Sequence, residues 1–576
     1  MSEKDFRLFF GCGIEDSQFT EIMSASKPNE SVKRRNKNIL NNSEQEFVAG
    51  RRNTVLQSLK KLKIQCSRKE VPNIALLGSG GGQRAMVGLL GSLVQLDKAG
   101  LLDCILYLSG VSGSTWCMAS LYKEPNWSTK LETVKNKIIK RLNGPEVSLT
   151  DAMAKLKKYY YGKDFFSLTD VWAVMLVASI VKEIDEHTLT EQRNQHNKDP
   201  FPIYAVIDKQ IKQSDDGDPW FEINPYEAGY SLSGVFVDTS DFGSQFHKGS
   251  KIKHQDEFDM LYLQALCGSA LGDEVAIKND MWQKIKDFFQ NETTLEAMRK
   301  EEHERSEERH EAMRIEKETD PISPSVDECH QALMDLLDKH MPVFDLSGGR
   351  SPLISSMKIE KQYIKHFAMD VCEDLSSRSN IWQFDAGLSI CKCMAEWIWG
   401  RKYNFLHNLR DEAVNSTLLQ SETRDYIDAG VLLNSPYFSV LREDRDIDLI
   451  ISLDFSEGDP FMTVRDAAET CKKLKIPFPE VKVPSDEGKK PKDFYVFKGQ
   501  NAPTVIHIPL FNTVNCGDKV EDWRKKYRTF QGSYSAEMIA DLMDVAGKNI
   551  SNNREKLKEQ IRAVIEEKDW DALKLF

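Results

Sequence analysis

The chain has 576 residues, of which 40% are hydrophobic, and it carries a formal net charge of −12. The acidic balance argues against nucleic-acid binding, which needs clustered basic residues with interleaved aromatic ones. The 11 cysteines follow no framework, and Cys391 and Cys393 are too close together for an ordinary disulfide or zinc pair. We therefore expect reduced thiols and no metal or other cofactor. The chain shows no signal core and no apolar run of membrane-spanning length, which predicts a cytoplasmic protein.

Residues 1–43 are polar and are predicted to form a segment of their own, ahead of a helix over residues 44–62. Residues 26–70 hold 12 lysines and arginines against 4 acidic residues. Such a stretch either contributes about 1 kcal/mol per basic residue to attraction for an anionic membrane or is a solvated linker and first helix. Both interpretations stay open on the sequence alone.

A glycine-rich corner follows the first predicted strand, at residues 71–77. The run Gly78-Ser79-Gly80-Gly81-Gly82 leads into a helix predicted over residues 84–96, so backbone N–H groups gather at a helix N-terminus. The loop could be a dinucleotide site, a structural turn, or an oxyanion hole formed by the amides of Gly81 and Gly82. The next strand does not end cleanly in the acidic residue that a dinucleotide site needs, which favours the oxyanion hole.

A second corner places a serine between a strand and a helix. Residues 103–108 are predicted to form a buried strand, and residues 114–122 open like a helix. Between them Ser112 is flanked by Gly110 and Gly113, which is typical of a hydrolase nucleophile held at a sharp turn. The strict pattern G-x-S-x-G is not met, because Ser114 stands where its last glycine would be.

The middle of the chain is predicted to be helical at residues 153–161 and 171–186 and then becomes highly charged. Residues 291–319 carry many acid–base pairs and end before Pro321 and Pro324. This composition is typical of a solvated helix or a mobile segment.

Three features of the last third complete the pattern. Asp428 precedes Ala429 and Gly430 and is either a turn cap or a catalytic acid. His507, in a predicted strand, would complete the order Ser…Asp…His of a triad, or it is a hydrogen-bonded core residue. A helix over residues 553–568 has one apolar face, which we expect to pack on its own domain: Leu557, Ile561, Val564 and Ile565.

Taken together, these motifs resemble the catalytic domain of the group IV cytosolic phospholipases A2. The glycine loop with Arg84, the corner Gly110-Val111-Ser112-Gly113-Ser114 and the run Asp428-Ala429-Gly430 occur in the family order. Residues 202–204, 221–227 and 448–452 extend the resemblance over most of the chain. The gamma type is the subtype expected, because the sequence starts almost directly at the catalytic domain, where other members carry a calcium-dependent lipid-binding module first.

The resemblance implies an α/β fold: a patatin-like three-layer α/β/α hydrolase domain with a nucleophile elbow and a lid insertion. It implies a Ser–Asp dyad of Ser112 and Asp428, an oxyanion hole at Gly81 and Gly82, and phosphate-binding arginines Arg84 and Arg445. The domain division expected is a polar segment 1–43, a catalytic domain 44–547 with a possible lid at about 290–325, and a C-terminal helix and tail 548–576.

The function expected is calcium-independent release of fatty acids from phospholipids and lysophospholipids, with possible acyl transfer between lipids. The partners expected are these lipids and a membrane surface visited from the cytoplasm, with no nucleic acid and no obligate protein partner. An alternative is a lipid-binding or transfer protein on the same fold. A dinucleotide-binding enzyme is a third, less favoured interpretation.

Overall fold

A computed structural model describes residues 32–34, 40–214, 218–270, 396–410, 414–484, 487–529 and 531–574, with isolated positions between 296 and 393. Almost all of the charged segment at about 290–325, expected as a possible lid, lies outside these residues. So does most of the polar segment 1–43.

Strands and helices alternate along much of the described chain. The strands are β1 (Val32–Arg34), β2 (Ile74–Gly78), β3 (Tyr107–Gly110), β4 (Phe201–Asp208), β5 (Trp220–Ile223), β6 (Glu227–Tyr230), β7 (Val235–Asp238), β8 (Gln245–His247), β9 (Ser250–Lys253), β10 (Arg401–Tyr403), β11 (Thr423–Asp428), β12 (Leu449–Asp454), β13 (Tyr495–Phe497) and β14 (Thr504–Pro509). The α-helices are α1 (Asn42–Lys61), α2 (Gly82–Lys98), α3 (Gly113–Tyr122), α4 (Leu131–Leu142), α5 (Leu149–Gly162), α6 (Leu168–Trp172), α7 (Ala178–Val181), α8 (Lys209–Ser214), α9 (Met260–Cys267), α10 (Ser416–Gln420), α11 (Tyr437–Val440), α12 (Met462–Leu474), α13 (Thr513–Cys516), α14 (Val520–Lys526), α15 (Ala536–Asn552) and α16 (Arg554–Lys574).

One mixed sheet of 12 strands organises the fold, in the order β1-β7-β6-β5-β4-β3-β2-β12-β14-β13, with β11 and β10 added beside β4. The central strands β14, β12, β2, β3 and β4 run parallel, and the outer strands are antiparallel. Every residue of β2, β3, β4 and β12 is buried. This explains why these strands read as continuous apolar runs rather than alternating ones.

The direction of the chain reverses between β2 and β12. From β2 the chain moves through α2 to β3, whereas from β12 it moves through α12 to β14 on the other side. Because such crossovers are right-handed, α2 and α12 cover opposite faces of the sheet. Ligands of open α/β sheets bind at this kind of switch point, at the carboxyl ends of the strands.

Several predicted elements are confirmed, and three of their boundaries differ from the prediction. The helix expected at 44–62 is α1, and the strand expected at 71–77 is β2, which starts three residues later at Ile74. The strand expected from residue 103 begins only at Tyr107, because Leu102–Cys104 form a 3-10 turn. The helix expected at 171–186 stops at Val181, since Lys182 takes a left-handed conformation with φ 54°.

The C-terminal helix packs on the main core. The predicted apolar face of α16 is buried with the rest of the core, as expected: Leu557, Ile561, Val564 and Ile565. The boundary expected between residues 547 and 548 falls inside α15, which packs against α2. No helix of the described residues has the length and apolar character needed to cross a membrane.

Candidate active site

Two strands meet end to end along one edge of β4. Strand β3 pairs with the first half of β4, ending with Gly110 opposite Tyr204. Strand β11 pairs antiparallel with the second half and ends with Asp428 opposite Val206. Because residues two apart in a strand are separated by about 7 Å, the chain ends at Gly110 and Asp428 face each other across a short gap. Ser112 follows Gly110 into that gap.

Ser112 adopts a backbone conformation that L-residues rarely take. Its φ is 51° and its ψ is −124°, directly before helix α3 begins at Gly113. Left-handed φ values outside glycine are uncommon and concentrate at functional turns. The side chain is 8% exposed, so its hydroxyl lies at the surface of the core rather than in solvent. This is the geometry of a nucleophile elbow.

Helices α2 and α3 are packed tightly at their N-termini. A Cβ added to Gly113 would lie 1.8 Å from the carbonyl oxygen of Gly82. Ser114 donates a hydrogen bond of 2.6 Å to the carbonyl of Ser79. The departure from G-x-S-x-G is therefore accommodated, because the Ser114 hydroxyl ties the elbow to the glycine loop.

Gly81 and Gly82 lie at the N-terminus of α2, with φ values of 150° and 56°. Backbone N–H groups in the first turn of a helix have no partner within that helix. They also lie at the positive end of the helix dipole. A Cβ on the preceding Gly80 would lie 3.0 Å from Cβ of Ser112, so the glycine loop adjoins the elbow. The loop can therefore offer N–H donors to an oxygen bound beside Ser112.

The carboxyl group of Asp428 is fully buried and held from one side. Its Oδ1 accepts a hydrogen bond of 2.7 Å from the N–H of Gly430. Among the described residues, Oδ2 has no well-formed hydrogen bond. Burial raises the pKa of Asp428 to about 7, although Gly430 and the neighbouring Ser112 hydroxyl lower it again. A carboxyl group with this pKa can accept a proton near neutral pH.

Arg84 lies next to the glycine loop but is buried, with an exposure of 1%. Its guanidinium donates to the carbonyls of Phe455 (2.7 Å) and Tyr527 (2.5 Å) and to the hydroxyl of Thr529 (3.0 Å). Burial lowers its pKa. Arg84 therefore anchors the segment 527–529 against the glycine loop, where a Cβ on Gly82 would lie 3.0 Å from the carbonyl oxygen of Thr529.

Arg445 lies at the amino-terminal end of β3, away from the end that leads to Ser112. Its guanidinium is 5.5 Å from the ring centre of Tyr107, the first residue of β3. Ser112 follows the other end of β3, which ends at Gly110. This position does not favour the predicted phosphate contact of Arg445, because its guanidinium is buried beside the start of β3.

The guanidinium of Arg445 is instead used entirely inside the protein. It donates to both carboxylate oxygens of Glu44 (2.8 and 3.2 Å), to both of Glu222 (2.9 and 2.7 Å), and to the carbonyl of Ser439. Arg442 adds a second contact to Glu222 at 2.9 Å. Burial acts to raise the pKa of Glu222, but the two arginines outweigh it and the pKa is lowered. This is a structural ion cluster.

His507 does not complete a triad. It lies within β14, where its Nε2 is 2.8 Å from the carbonyl oxygen of Pro460. Burial lowers its pKa to about 4, so the ring is neutral. Two strands, β12 and β2, separate β14 from β3. The interpretation of His507 as a hydrogen-bonded core residue fits this position.

The structure adds site residues that sequence reasoning missed. The Asn434 amide donates to the carbonyl of Gly80 (3.3 Å) and to the hydroxyl of Ser456 (3.0 Å). Ser269 accepts a hydrogen bond of 3.2 Å from the N–H of Asp428. Asn434 could have been identified from the sequence, because it follows Asp428 closely. Nothing in the sequence around Ser269 indicated that it lies at the site. Within the described ranges, no cluster of metal-binding side chains is present.

Comparison with known proteins identifies the family of this chain. The lysophospholipase catalytic domain family (PLA2_B) matches residues 74–335. Cytosolic phospholipase A2 gamma of Mus musculus is 34% identical over 91% of this chain and 91% of its own length. The Homo sapiens protein of the same name is 32% identical over 91% of this chain and 95% of its own.

Among solved structures, human GIVD cytosolic phospholipase A2 superposes with a TM-score of 0.67. It is 21% identical and covers 94% of this chain and 69% of its own. At that identity the likeness concerns the fold, and it confirms the patatin-like α/β class. The chain belongs to the cytosolic phospholipase A2 family, as the order of its motifs predicted.

Proposed function

We propose that this protein is a serine acyl hydrolase that releases fatty acids from glycerophospholipids and lysophospholipids without calcium. The observation that carries the proposal is the strained Ser112 elbow facing the buried Asp428 carboxyl group. The named activity of the relatives supports the same substrate class. We place the protein in the cytoplasm, in peripheral contact with the membranes that hold its substrates, with no nucleic acid and no obligate protein partner.

In the proposed reaction, Oγ of Ser112 attacks the carbonyl carbon of a lipid ester while Asp428 accepts the hydroxyl proton. The carbonyl oxygen becomes an oxyanion next to the N–H groups of Gly81 and Gly82. The C–O bond to the glycerol oxygen then breaks, and that oxygen takes the proton back from Asp428. An acyl-serine and a lipid alcohol result.

The acyl-serine is resolved by a second hydroxyl. When water attacks, Asp428 accepts its proton, the bond from the acyl carbon to Oγ of Ser112 breaks, Oγ takes that proton back and a free fatty acid leaves. When the hydroxyl belongs to a lysophospholipid, the same steps transfer the acyl group to that lipid. We assign Arg84 a place beside the oxyanion loop. A contact with the substrate phosphate would require the segment 527–529 to move, because Arg84 is covered by it.

The direct test is release of labelled fatty acid from phosphatidylcholine and lysophosphatidylcholine in the presence of EGTA. Label at each acyl position, with thin-layer separation of products, distinguishes hydrolysis from acyl transfer. Release in EGTA that calcium does not increase supports the proposal. Lipid binding without release or transfer would favour the lipid-transfer alternative.

The pH profile of hydrolysis should follow the Asp428 carboxyl group. Because the base must be ionised and its pKa is about 7, kcat/KM should rise with pH and reach half its maximum near pH 7. Because the folded pKa of Asp428 is raised above the unfolded one, the free energy of unfolding falls as pH rises from about 4 to about 7 and stays lowered above that range. Asp428→Asn should therefore be inactive yet more stable than the parent at pH 8. A kcat/KM profile that reaches half its maximum near pH 4 would contradict the assignment of Asp428 as the base.

Gly113→Ala should damage both packing and activity. Its Cβ would lie 1.8 Å from the carbonyl oxygen of Gly82, so α2 and α3 must separate. Overpacking of this kind costs about 1–3 kcal/mol, and a 1 Å displacement of reacting groups costs about 100-fold in rate. Urea unfolding and fatty-acid release measure the two effects. The control is Gly50→Ala, where nothing lies within 4 Å of the added carbon.

A further inference from the structure

A surface at the carboxyl-end edge of the sheet carries exposed cations without ion-pair partners among the described residues. We call it the basic rim: Lys489, Lys490, Lys492, Lys519, Lys525 and Arg528. Neighbouring cations are paired, as with Lys526 and Asp541 at 3.1 Å. The rim therefore keeps its charge available to an outside partner.

Hydrogen bonds join these residues into one surface. The N–H of Thr513 donates to the carbonyl of Pro491 at 2.9 Å, between Lys490 and Lys492. Arg524 donates to the carbonyl of Gly488 at 3.1 Å, which brings α14 beside the segment that holds the first three lysines. The rim is thus continuous across segments that are distant in the sequence.

Two large apolar side chains stand in the same surface. Val514, directly after Thr513, is 55% exposed, and Met462 is 54% exposed. The N–H of Met462 donates to the carbonyl of Asp459 at 3.3 Å. A Cβ on Gly488 would lie 2.9 Å from the Asp459 carboxylate, so the start of α12 also borders the rim.

The acidic residues of these segments are partly neutralised. Asp459 pairs with Arg465 at 2.6 Å, and Glu521 pairs with Arg524 at 2.7 Å. Among the described residues of these segments, the carboxylates without an ion-pair partner are Asp466, Glu487, Asp493, Asp518 and Asp522, and Asp493 is buried. The six rim cations outnumber them, which leaves a local positive excess on the described part of this surface, on a chain of net charge −12.

The rim also adjoins the active site. Helix α14 leads into Tyr527 and Thr529, which accept hydrogen bonds from Arg84 beside the oxyanion loop. The other basic cluster of the sequence, Lys60, Lys61 and Lys63, lies at the opposite edge. It follows Ser58, which donates to the carbonyl of Gly100 at 2.9 Å, before the start of β3.

We propose that the basic rim, with Met462 and Val514, docks this protein on an anionic phospholipid bilayer with the Ser112 edge toward the membrane. Lysines near an anionic surface gain attraction of about 1 kcal/mol each, and apolar side chains add by entering the interface. The proposal rests on the proposed function, which gives the protein a reason to approach a bilayer from this edge.

The test uses the Ser112→Ala protein, so that binding is measured without hydrolysis. Its triple variant Lys489→Gln, Lys490→Gln, Lys492→Gln is compared with the matched variant Lys60→Gln, Lys61→Gln, Lys63→Gln. The probes are sedimentable vesicles of phosphatidylcholine with or without phosphatidylserine. We expect the rim variant to bind serine-containing vesicles on the order of 100-fold more weakly, and the matched variant to bind like the parent.

Further experiments distinguish the contributions of charge and of apolar side chains to vesicle binding. Raised salt should erase the difference between rim variant and parent. Met462→Ser with Val514→Ser should weaken binding, whereas Ile252→Ser, at a side chain 61% exposed elsewhere, should not. Equal binding of the rim and matched variants would overturn the proposal, as would binding to soluble polyglutamate but not to vesicles.

Failure of the docking proposal can be distinguished from failure of the proposed function. The rim triple variant with Ser112 intact should hydrolyse a soluble short-chain ester at the parental rate. Rim-dependent vesicle binding without hydrolysis by the parent would leave docking standing and remove only the enzymatic assignment.

Discussion

Ser112→Ala is expected to abolish fatty-acid release while leaving the fold intact. The substitution removes the only atom that can form the acyl-enzyme in the proposed reaction. Loss of a serine nucleophile in this class of mechanism costs on the order of 10⁶-fold in kcat. Alanine is small enough for the site, and it avoids a new buried polar group. The measurement is single-turnover release from labelled phosphatidylcholine, with thermal unfolding as the test of folding.

The matched control is Ser114→Ala, two residues along the same corner. It loses the hydrogen bond to the carbonyl of Ser79 but keeps the nucleophile. A lost hydrogen bond of this kind costs about 0.5–1.5 kcal/mol, so activity should stay within about tenfold of the parent. Equal release by the parent and Ser112→Ala proteins would show that another residue attacks the ester.

Arg445→Met is expected to destabilise the protein by about 3–5 kcal/mol, because two buried carboxylates lose their partner. Glu44 and Glu222 would each remain buried with one cation fewer. The variant should regain stability as pH falls and these carboxylates become protonated, whereas the intact cluster loses stability in that direction, since the pKa of Glu222 is lowered. Urea unfolding at pH 8, pH 5 and about pH 3.5 measures both effects, because the intact cluster loses stability only below the ordinary glutamate pKa of 4.5.

Arg465→Met serves as the control, since its pair with Asp459 is partly exposed and such pairs contribute about 0–1 kcal/mol. The correctly folded fraction of Arg445→Met should hydrolyse lipid at a near-parental rate. A variant of normal stability that lost activity would return Arg445 to the substrate site. Adding Glu44→Gln and Glu222→Gln to Arg445→Met should recover part of the lost stability.

The buried parallel strands and the glycine corners were predictable because each has a local signature. The runs at Ile74–Gly78 and Tyr107–Gly110 are apolar, and glycines mark where the chain turns. The strand boundary near Asp103 was not predictable, because a 3-10 turn and a strand share its composition. Nothing local indicated the left-handed residue Lys182 that ends the predicted helix early.

The charged residues show where sequence reasoning fails. Arg445 lies in a run of acids and bases that looks solvated, yet its partners are Glu44 and Glu222, which no spacing rule connects to it. Arg84 lies beside the glycine loop because it directly follows that loop in the sequence, and its phosphate-binding role stays a prediction. Its anchors at Phe455 and Thr529 lie in distant segments, however, so burial of its guanidinium could not be anticipated.

The end-to-end meeting of β3 and β11 has a consequence for folding. The elbow can form from local sequence, but Asp428 reaches it only when β11 finds its register on β4, through pairs such as Asp428 with Val206. Contacts between such distant parts of a chain form slowly, because the chain loses the entropy of closing the intervening loop before the contacts can stabilise it. A slip of one residue would turn Asp428 to the other face of the sheet. Regain of activity after dilution from denaturant should therefore lag behind regain of secondary structure.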